Sequence, residues 1–235
     1  MTRLPALILL LATIAFGVAP FVTPPFTGYD PALFPVPIER PAIQPAGYAF
    51  AIWSVIYLWL ILHAVYGLWQ RAESPDWAPT RLPLSVAIAV GVAWLWIAGQ
   101  SAVWGTVTIW IMAVTALAAF LRAPTEPDRW LLSGPLAIFA GWLTAAAAVS
   151  TGVLIAGYGV LPNTGSALAM LALVLAIALV VQGRKPRMPV YGLTVIWALL
   201  GVIVANRGDL PLVAWAAAAG AAVMLGALAW IWRKG

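Results

Sequence analysis

The chain has 235 residues, of which 64% are hydrophobic and 8% are charged, and its mean hydropathy is +0.99. So little polar surface cannot cover a soluble globule, and the composition therefore predicts an integral membrane protein. The net charge of +5 forms no basic stripe, so no nucleic-acid partner is expected, and the lack of cysteine excludes disulfides and thiolate metal sites.

Eight apolar runs predict an all-α fold, a polytopic membrane helical bundle. The expected spans are 4–22, 47–69, 83–100, 104–121, 131–156, 165–182, 189–205 and 211–232. The boundary between the third and fourth spans is the least marked, and Gly99, Gln100 and Ser101 are the turn residues there. The first run also fits a signal peptide, but its length of about 19 apolar residues favours a retained helix.

The distribution of positive charge supports eight spans. Ten of the twelve Lys and Arg residues then fall on the side of the two termini, and only Arg40 and Arg207 fall on the other. Positive charge collects on the cytoplasmic side of membrane proteins, so both termini are expected in the cytoplasm. The chain is accordingly expected in a bacterial cytoplasmic membrane.

The first loop, residues 23–44, is rich in proline and in aromatic residues, including Phe26, Tyr29 and Phe34. Such a segment is neither a helix nor a typical flexible linker. We interpret it as a lid over the helices.

The second span carries aromatic residues along its whole length rather than at its two ends, where interfacial belts place them. Phe50, Trp53 and Tyr57 fall on one helical face, and Trp59 and His63 fall on a second. The stretch P-A-G-Y-A-F-A-I-W-S-V-I-Y, residues 45–57, resembles the signature of the tryptophan-rich sensory protein family, the TspO/MBR or translocator protein type.

The resemblance covers roughly residues 5–157 and implies a five-helix core, assigned here to residues 1–157. Residues 158–235 are then a three-helix extension of unassigned role. The resemblance also implies a ligand cavity under the first loop, and it links the protein to the handling of porphyrin-like tetrapyrroles.

Two further stretches carry the resemblance. In the fifth span Trp142 and Ala146 match the family pattern, while Ser150 stands where asparagine is usual. In the third span Trp94 matches, while Gly91 replaces an asparagine. Both departures remove polar groups from the expected pocket, which leaves the identity of the ligand open.

Fourteen tryptophans are far more than ordinary usage gives. Those near span ends, and Trp77 in a loop, are expected to be interfacial anchors. Seven near mid-span need a hydrogen-bond partner or a cavity for the indole N–H, and as a group they favour a pocket for a large planar ligand. They are Trp53, Trp59, Trp94, Trp96, Trp110, Trp142 and Trp197.

His63 is the only histidine and lies within a span. An ionisable group there is a functional candidate for ligating haem iron or sensing pH. A neutral histidine hydrogen-bonded to a neighbouring helix explains it as well. No metal site is expected.

No enzyme is expected, because the sequence shows no carboxylate pair, activated nucleophile or phosphate loop. No charged residue falls inside a predicted span, which argues against an ion-coupled transporter. The principal hypothesis is a membrane receptor or sensor that requires no cofactor and binds a porphyrin, haem or another flat lipophile. The ligand-binding residues expected for it are Pro45, Tyr48, Phe50, Trp53, Tyr57, Trp94, Gln100, Trp142 and Ala146.

Two alternatives remain. One is a non-catalytic accessory subunit or assembly factor of a larger membrane complex, and the weaker one is an uncoupled carrier of a lipophile. Apart from the lipid bilayer and the ligand, the partners considered are a second copy of the chain, as a homodimer, and such a complex.

Overall fold

The computed structural model describes residues 3–24 and 26–234, so Met1, Thr2, Pro25 and Gly235 lie outside the description. Within the described ranges the chain forms eight α-helices and no strand. They are α1 (Leu4–Val22), α2 (Ile52–Trp69), α3 (Ala78–Gln100), α4 (Ala102–Arg122), α5 (Gly134–Gly157), α6 (Asn163–Arg184), α7 (Val190–Asn206) and α8 (Pro211–Lys234). A 3₁₀ turn, Gly47–Ala51, leads into α2, and a π-helical turn, Arg129–Ser133, leads into α5.

The polytopic membrane bundle predicted from the sequence is confirmed. Seven of the described helices are long and apolar enough to cross a bilayer, and α7, with 17 residues, is at the short limit. The predicted turn between the third and fourth spans is also confirmed, because α3 ends at Gln100 and the Ser101 hydroxyl accepts a hydrogen bond from Trp104 N as the cap of α4.

The start of α3 differs from the predicted span. The helix begins at Ala78 rather than near residue 83, so it takes in Arg81, which is buried and donates a hydrogen bond to the carbonyl of Arg71. The hydropathy pattern missed this first turn because Arg81 interrupts the apolar run.

Helix α5 occupies the centre of the bundle, where it packs against α2, α4, α6 and α7. Its sequence is rich in alanine and glycine, which allows neighbouring backbones to approach closely. A Cβ atom on Gly141 would lie 2.9 Å from both the carbonyl oxygen of Tyr191 and the Cβ of Thr194 in α7. Gly141 is therefore a point of close contact between α5 and α7 within the chain.

The remaining helices surround α5. On one side α1 packs against α2 and α3, and α3 packs against α4; on the other, α8 packs against α6 and α7.

One end of the bundle is held together by Asp128, in the loop before α5. Its carboxylate accepts hydrogen bonds from Arg71 Nε at 2.8 Å and from Trp77 Nε1 at 2.8 Å. The hydrogen bond from Arg71 is the main cause that holds the pKa of Asp128 below its ordinary value. Trp77 is 1% exposed and stacks on His63, with ring centroids 4.7 Å apart, so the prediction that Trp77 is an interfacial anchor is wrong.

Candidate ligand-binding site

Two adjoining chambers lie beneath the loop between α1 and α2, at the end of the bundle opposite Asp128. The larger, of about 300 Å³, is bounded by α1 to α5 and is called the aromatic chamber below. The smaller, of about 80 Å³, is bounded by the loop, α5, α6 and α7 and is called the aliphatic chamber. They share six lining residues, which are Phe26, Phe50, Trp94, Ile109, Trp142 and Ala146.

The aromatic chamber is built on rings from α1 and α2. Trp53 and Tyr57 are one helical turn apart on α2 and stack with their centroids 5.3 Å apart, because residues four apart lie on the same face. Phe16 of α1 meets the edge of both rings, at 6.0 Å and 5.0 Å. The result is a wall of fixed aromatic faces and edges, of the kind that binds flat apolar molecules.

Trp142 of α5 lies at the junction of the two chambers. Its ring meets Phe50 edge-to-face at 5.7 Å and Trp53 at 6.2 Å. The indole is 2% exposed, and its Nε1–H finds no hydrogen-bond acceptor in the part of the chain that the structure describes. Buried indole N–H groups usually have an acceptor, so this donor is suited to a polar atom of a ligand.

The first half of the loop is fastened to the bundle by Tyr29. Its hydroxyl makes a short hydrogen bond with Ser150 Oγ of α5, and Ser150 Oγ is 2.8 Å from Thr106 Oγ1 of α4. Burial of the phenol raises the pKa of Tyr29, so the group stays neutral. Nearby, Phe26 meets Trp94 edge-to-face at 5.0 Å and forms part of the wall shared by both chambers.

The second half of the loop is fastened to the C-terminal helices instead. Ala42 N donates to Asn163 Oδ1 of α6 and Ala42 O accepts from Asn206 Nδ2 of α7, both at 2.8 Å. Arg40 forms an ion pair with Asp209, which precedes α8. In the turn that follows the loop, Ala49 O accepts a 2.9 Å hydrogen bond from the indole of Trp197. Helices α6 and α7 and the turn before α8 therefore hold this half of the loop in place.

A family model described as TSPO-like protein matches residues 38–230 of the chain. The chain therefore belongs to the TSPO-like family. The match runs through the aromatic stretch of α2 and on into α8, so the three C-terminal helices lie within it. No curated protein matches the chain, and no solved structure does.

The structure brings together seven of the nine ligand-binding residues expected from the sequence. They line one or both chambers of this TSPO-like protein and are Pro45, Phe50, Trp53, Tyr57, Trp94, Trp142 and Ala146. The division into residues 1–157 and 158–235 stays a prediction, although α6 and α7 supply part of the aliphatic chamber's wall.

The structure places the other two ligand-binding candidates, and the separate candidate His63, away from both chambers. Tyr48 is 45% exposed and packs against Trp197, and Gln100 is exposed at the end of α3. His63 is buried towards the Asp128 end, where its Nδ1–H donates to Leu131 O at 2.7 Å. Its Nε2 has no hydrogen-bond partner within the described residues, and its roles in haem ligation and pH sensing stay predictions.

The seven mid-span tryptophans separate into three groups. Trp53, Trp94 and Trp142 line the chambers, and Trp96 is 63% exposed on the outer surface. The other three, Trp59, Trp110 and Trp197, donate their indole N–H to Trp130 O, Thr151 Oγ1 and Ala49 O.

Sequence reasoning missed Phe16, Phe26 and the residues of α6 and α7 that line the chambers. Phe16 explains one departure from the family pattern, because a Cβ on Gly91 would lie 2.5 Å from its ring. A phenylalanine on α1 thus occupies the space that a side chain at 91 would need. The pairing of Phe16 with Gly91 could have revealed that Phe16 lines the chamber. However, the two residues lie 75 positions apart, and no local pattern in the sequence joins them.

Proposed function

We propose that this protein is a membrane receptor or sensor that binds a flat lipophilic ligand in the two chambers, with a porphyrin-like tetrapyrrole as the first candidate. The TSPO-like family and the membrane-spanning helices support a sensor or receptor in the membrane. The observation that carries the proposal is the Nε1–H of Trp142, which has no acceptor among the described residues and lies at the junction of two apolar chambers.

The chemistry of the walls favours a ligand that is flat, apolar and equipped with a hydrogen-bond acceptor. Stacked and edge-on rings at Phe16, Trp53 and Tyr57 match a planar conjugated molecule. An acceptor atom on that molecule would satisfy the indole of Trp142, whose burial without a partner costs roughly 1–3 kcal/mol. Binding of such an acceptor would thus pair this donor.

We infer binding rather than catalysis. Among the lining residues that the structure describes, the ionisable groups are the phenols of Tyr29 and Tyr57. The hydroxyl of Tyr29 is bonded to Ser150. Such a set lacks the base and nucleophile that acyl or phosphoryl transfer needs. The ligand is therefore proposed as a signal, and no cofactor is required.

Titration of the purified protein in detergent with protoporphyrin IX and with haem tests this proposal. Ala146→Phe places a ring in the wall shared by both chambers, and Ala222→Phe, on the exposed face of α8, is the matched control. We expect saturable quenching of tryptophan fluorescence in the wild type and the control, and its loss in Ala146→Phe. Quenching that is equal in all three proteins, or that never saturates, would mean partitioning into the micelle and would favour the accessory-subunit alternative.

The proposed location is a bacterial cytoplasmic membrane with both termini in the cytoplasm. The support is the charge distribution, since the loop end that carries Arg40 and Arg207 has few basic residues. Because the chain has no cysteine, a single introduced cysteine shows on which side of the membrane its loop lies, without background labelling of other thiols in the protein. A membrane-impermeant maleimide is expected to label Glu39→Cys in cells with a permeabilised outer membrane, and Arg187→Cys only after the inner membrane is broken. The reverse pattern would invert the topology.

A further inference from the structure

The aliphatic chamber differs in chemistry from the aromatic chamber beside it. The part of its wall that the two chambers do not share is formed mainly by aliphatic side chains of α5, α6 and α7. Examples are Val149 and Val153 of α5, Val174 of α6, and Ala198, Leu199 and Val202 of α7. Among the residues that the structure describes, the aromatic rings that reach it come from the loop and from the wall that it shares with its neighbour. The site thus has a flat, aromatic chamber and, beside it, a small, aliphatic chamber.

Apart from the indole of Trp142 in the shared wall, the aliphatic chamber offers few free donors, because the hydroxyls and the amide N–H of its own wall are hydrogen-bonded within the protein. Tyr29 and Ser150 bond to each other, and Ser150 also contacts Thr106. Gln44 Nε2 donates to Thr27 O at 3.3 Å. A charged or strongly polar group placed in this chamber would lose its hydration without an equivalent partner, which disfavours it.

The size of the aliphatic chamber limits its occupant. Its volume of about 80 Å³ is roughly half that of the 150 Å³ cavity known to hold benzene. A group of roughly two to four carbons fits such a space, whereas a ring or a long chain does not.

We propose that the natural ligand carries a compact aliphatic substituent, of roughly two to four carbons, which lies between α5, α6 and α7 while the flat part lies in the aromatic chamber. This inference rests on the proposed function and adds a substrate feature to it. It also gives α6 and α7 a role, because they select the ligand by this substituent.

A pair of porphyrins that differ only at two ring positions tests the inference. Mesoporphyrin IX carries two ethyl groups where deuteroporphyrin IX carries hydrogen, and their rings and propionates are the same. Burial of one ethyl group is expected to make mesoporphyrin bind the wild type about tenfold more tightly. Ala198→Leu fills the chamber, so it is expected to abolish the preference for mesoporphyrin.

The controls distinguish an effect of filling the chamber from partitioning of the porphyrin into the detergent micelle and from misfolding of the variant. Ala222→Leu adds the same side chain to the exposed face of α8, and it is expected to keep the tenfold preference. Partitioning into the micelle would leave the preference unchanged in Ala198→Leu as well. If Ala198→Leu fails to fold, Ala198→Val is expected to give an intermediate preference. Saturable binding with the same ratio in the wild type and the filled variants would overturn this inference alone, whereas binding of neither porphyrin would overturn the proposed function as well.

Discussion

The indole Nε1–H of Trp77 donates a 2.8 Å hydrogen bond to Oδ2 of Asp128, and this bond joins the residue before α3 to the loop before α5. Arg71 bonds to the same carboxylate through Nε and Nη2, at 2.8 Å and 3.2 Å. The connection between α2 and α3 is therefore joined to the loop before α5 through one acidic side chain.

Asp128→Asn is expected to lower the stability of the bundle. The substitution removes the charge that Arg71 contacts and leaves one oxygen to serve two strong donors, a loss of roughly 1–3 kcal/mol. The measurement is the thermal unfolding midpoint in detergent. Asp209→Asn is the matched control, because the ion pair between Arg40 and Asp209 is exposed and is expected to contribute less than about 1 kcal/mol. Equal shifts in the two variants would contradict the prediction.

Acid is expected to lower the stability of the bundle by protonating the carboxylate of Asp128. The pKa of Asp128 is lower in the folded protein than its ordinary value of 3.8, chiefly because of the hydrogen bond from Arg71. Its contribution to stability is therefore complete above pH 3.8 and is lost as the pH falls through the folded-state pKa. The difference in unfolding midpoint between the wild type and Asp128→Asn should stay constant from pH 7 to about 5 and shrink below about 4. A difference that is unchanged at pH 3 would assign the stabilisation to another group.

Tyr29→Phe is expected to release the first half of the loop while keeping the ring that lines the aliphatic chamber. The lost hydrogen bond to Ser150 has a net value of about 1 kcal/mol, so ligand exchange should become about fivefold faster. Stopped-flow displacement of bound protoporphyrin measures the rate. Tyr158→Phe, a half-exposed tyrosine that packs on Phe34 outside the chambers, should exchange ligand at the wild-type rate.

Gly91→Asn, which restores the residue usual in the family, is expected to destabilise this protein. The new Cβ would lie 2.5 Å from the ring of Phe16 and 2.9 Å from Met112 Cε, and overpacking of this kind typically costs about 1–3 kcal/mol. Phe16→Ala alone should also destabilise, through the cavity it leaves. The double variant should be more stable than the sum of the two effects predicts, and strict additivity in the unfolding midpoints would refute the direct contact.

The amide of Ala42 reports how firmly the loop's second half is held. Asn163→Ala removes its acceptor and Asn206→Ala removes the donor to its carbonyl, so the double variant should exchange hydrogen faster across residues 40–46. Peptides covering Tyr29 should change little, because that half is fastened to α4 and α5. Faster exchange over the whole loop would show that its two halves move as one.

The sequence predicted the helices well because each one is a long apolar run ended by charge or by turn residues, as at Ser101. Seven of the residues proposed from the sequence line the chambers. Three of them, Phe50, Trp53 and Tyr57, could be grouped because they follow a local helical spacing. The predicted start of α3 was wrong because a buried arginine resembles a loop charge in a hydropathy profile. The aliphatic wall from α6 and α7 could not be predicted, because alanine, leucine and valine facing a cavity are indistinguishable from those facing lipid.

The anchoring of the loop has a consequence for biosynthesis. Ala42 is bonded to Asn206, 164 positions later in the chain, and Arg40 to Asp209, 169 positions later. A ribosome makes the N-terminal segments first, so the loop cannot complete these contacts until six further helices, α2 to α7, have been made. The mouth of the binding site is therefore among the last parts of the protein to reach its final form.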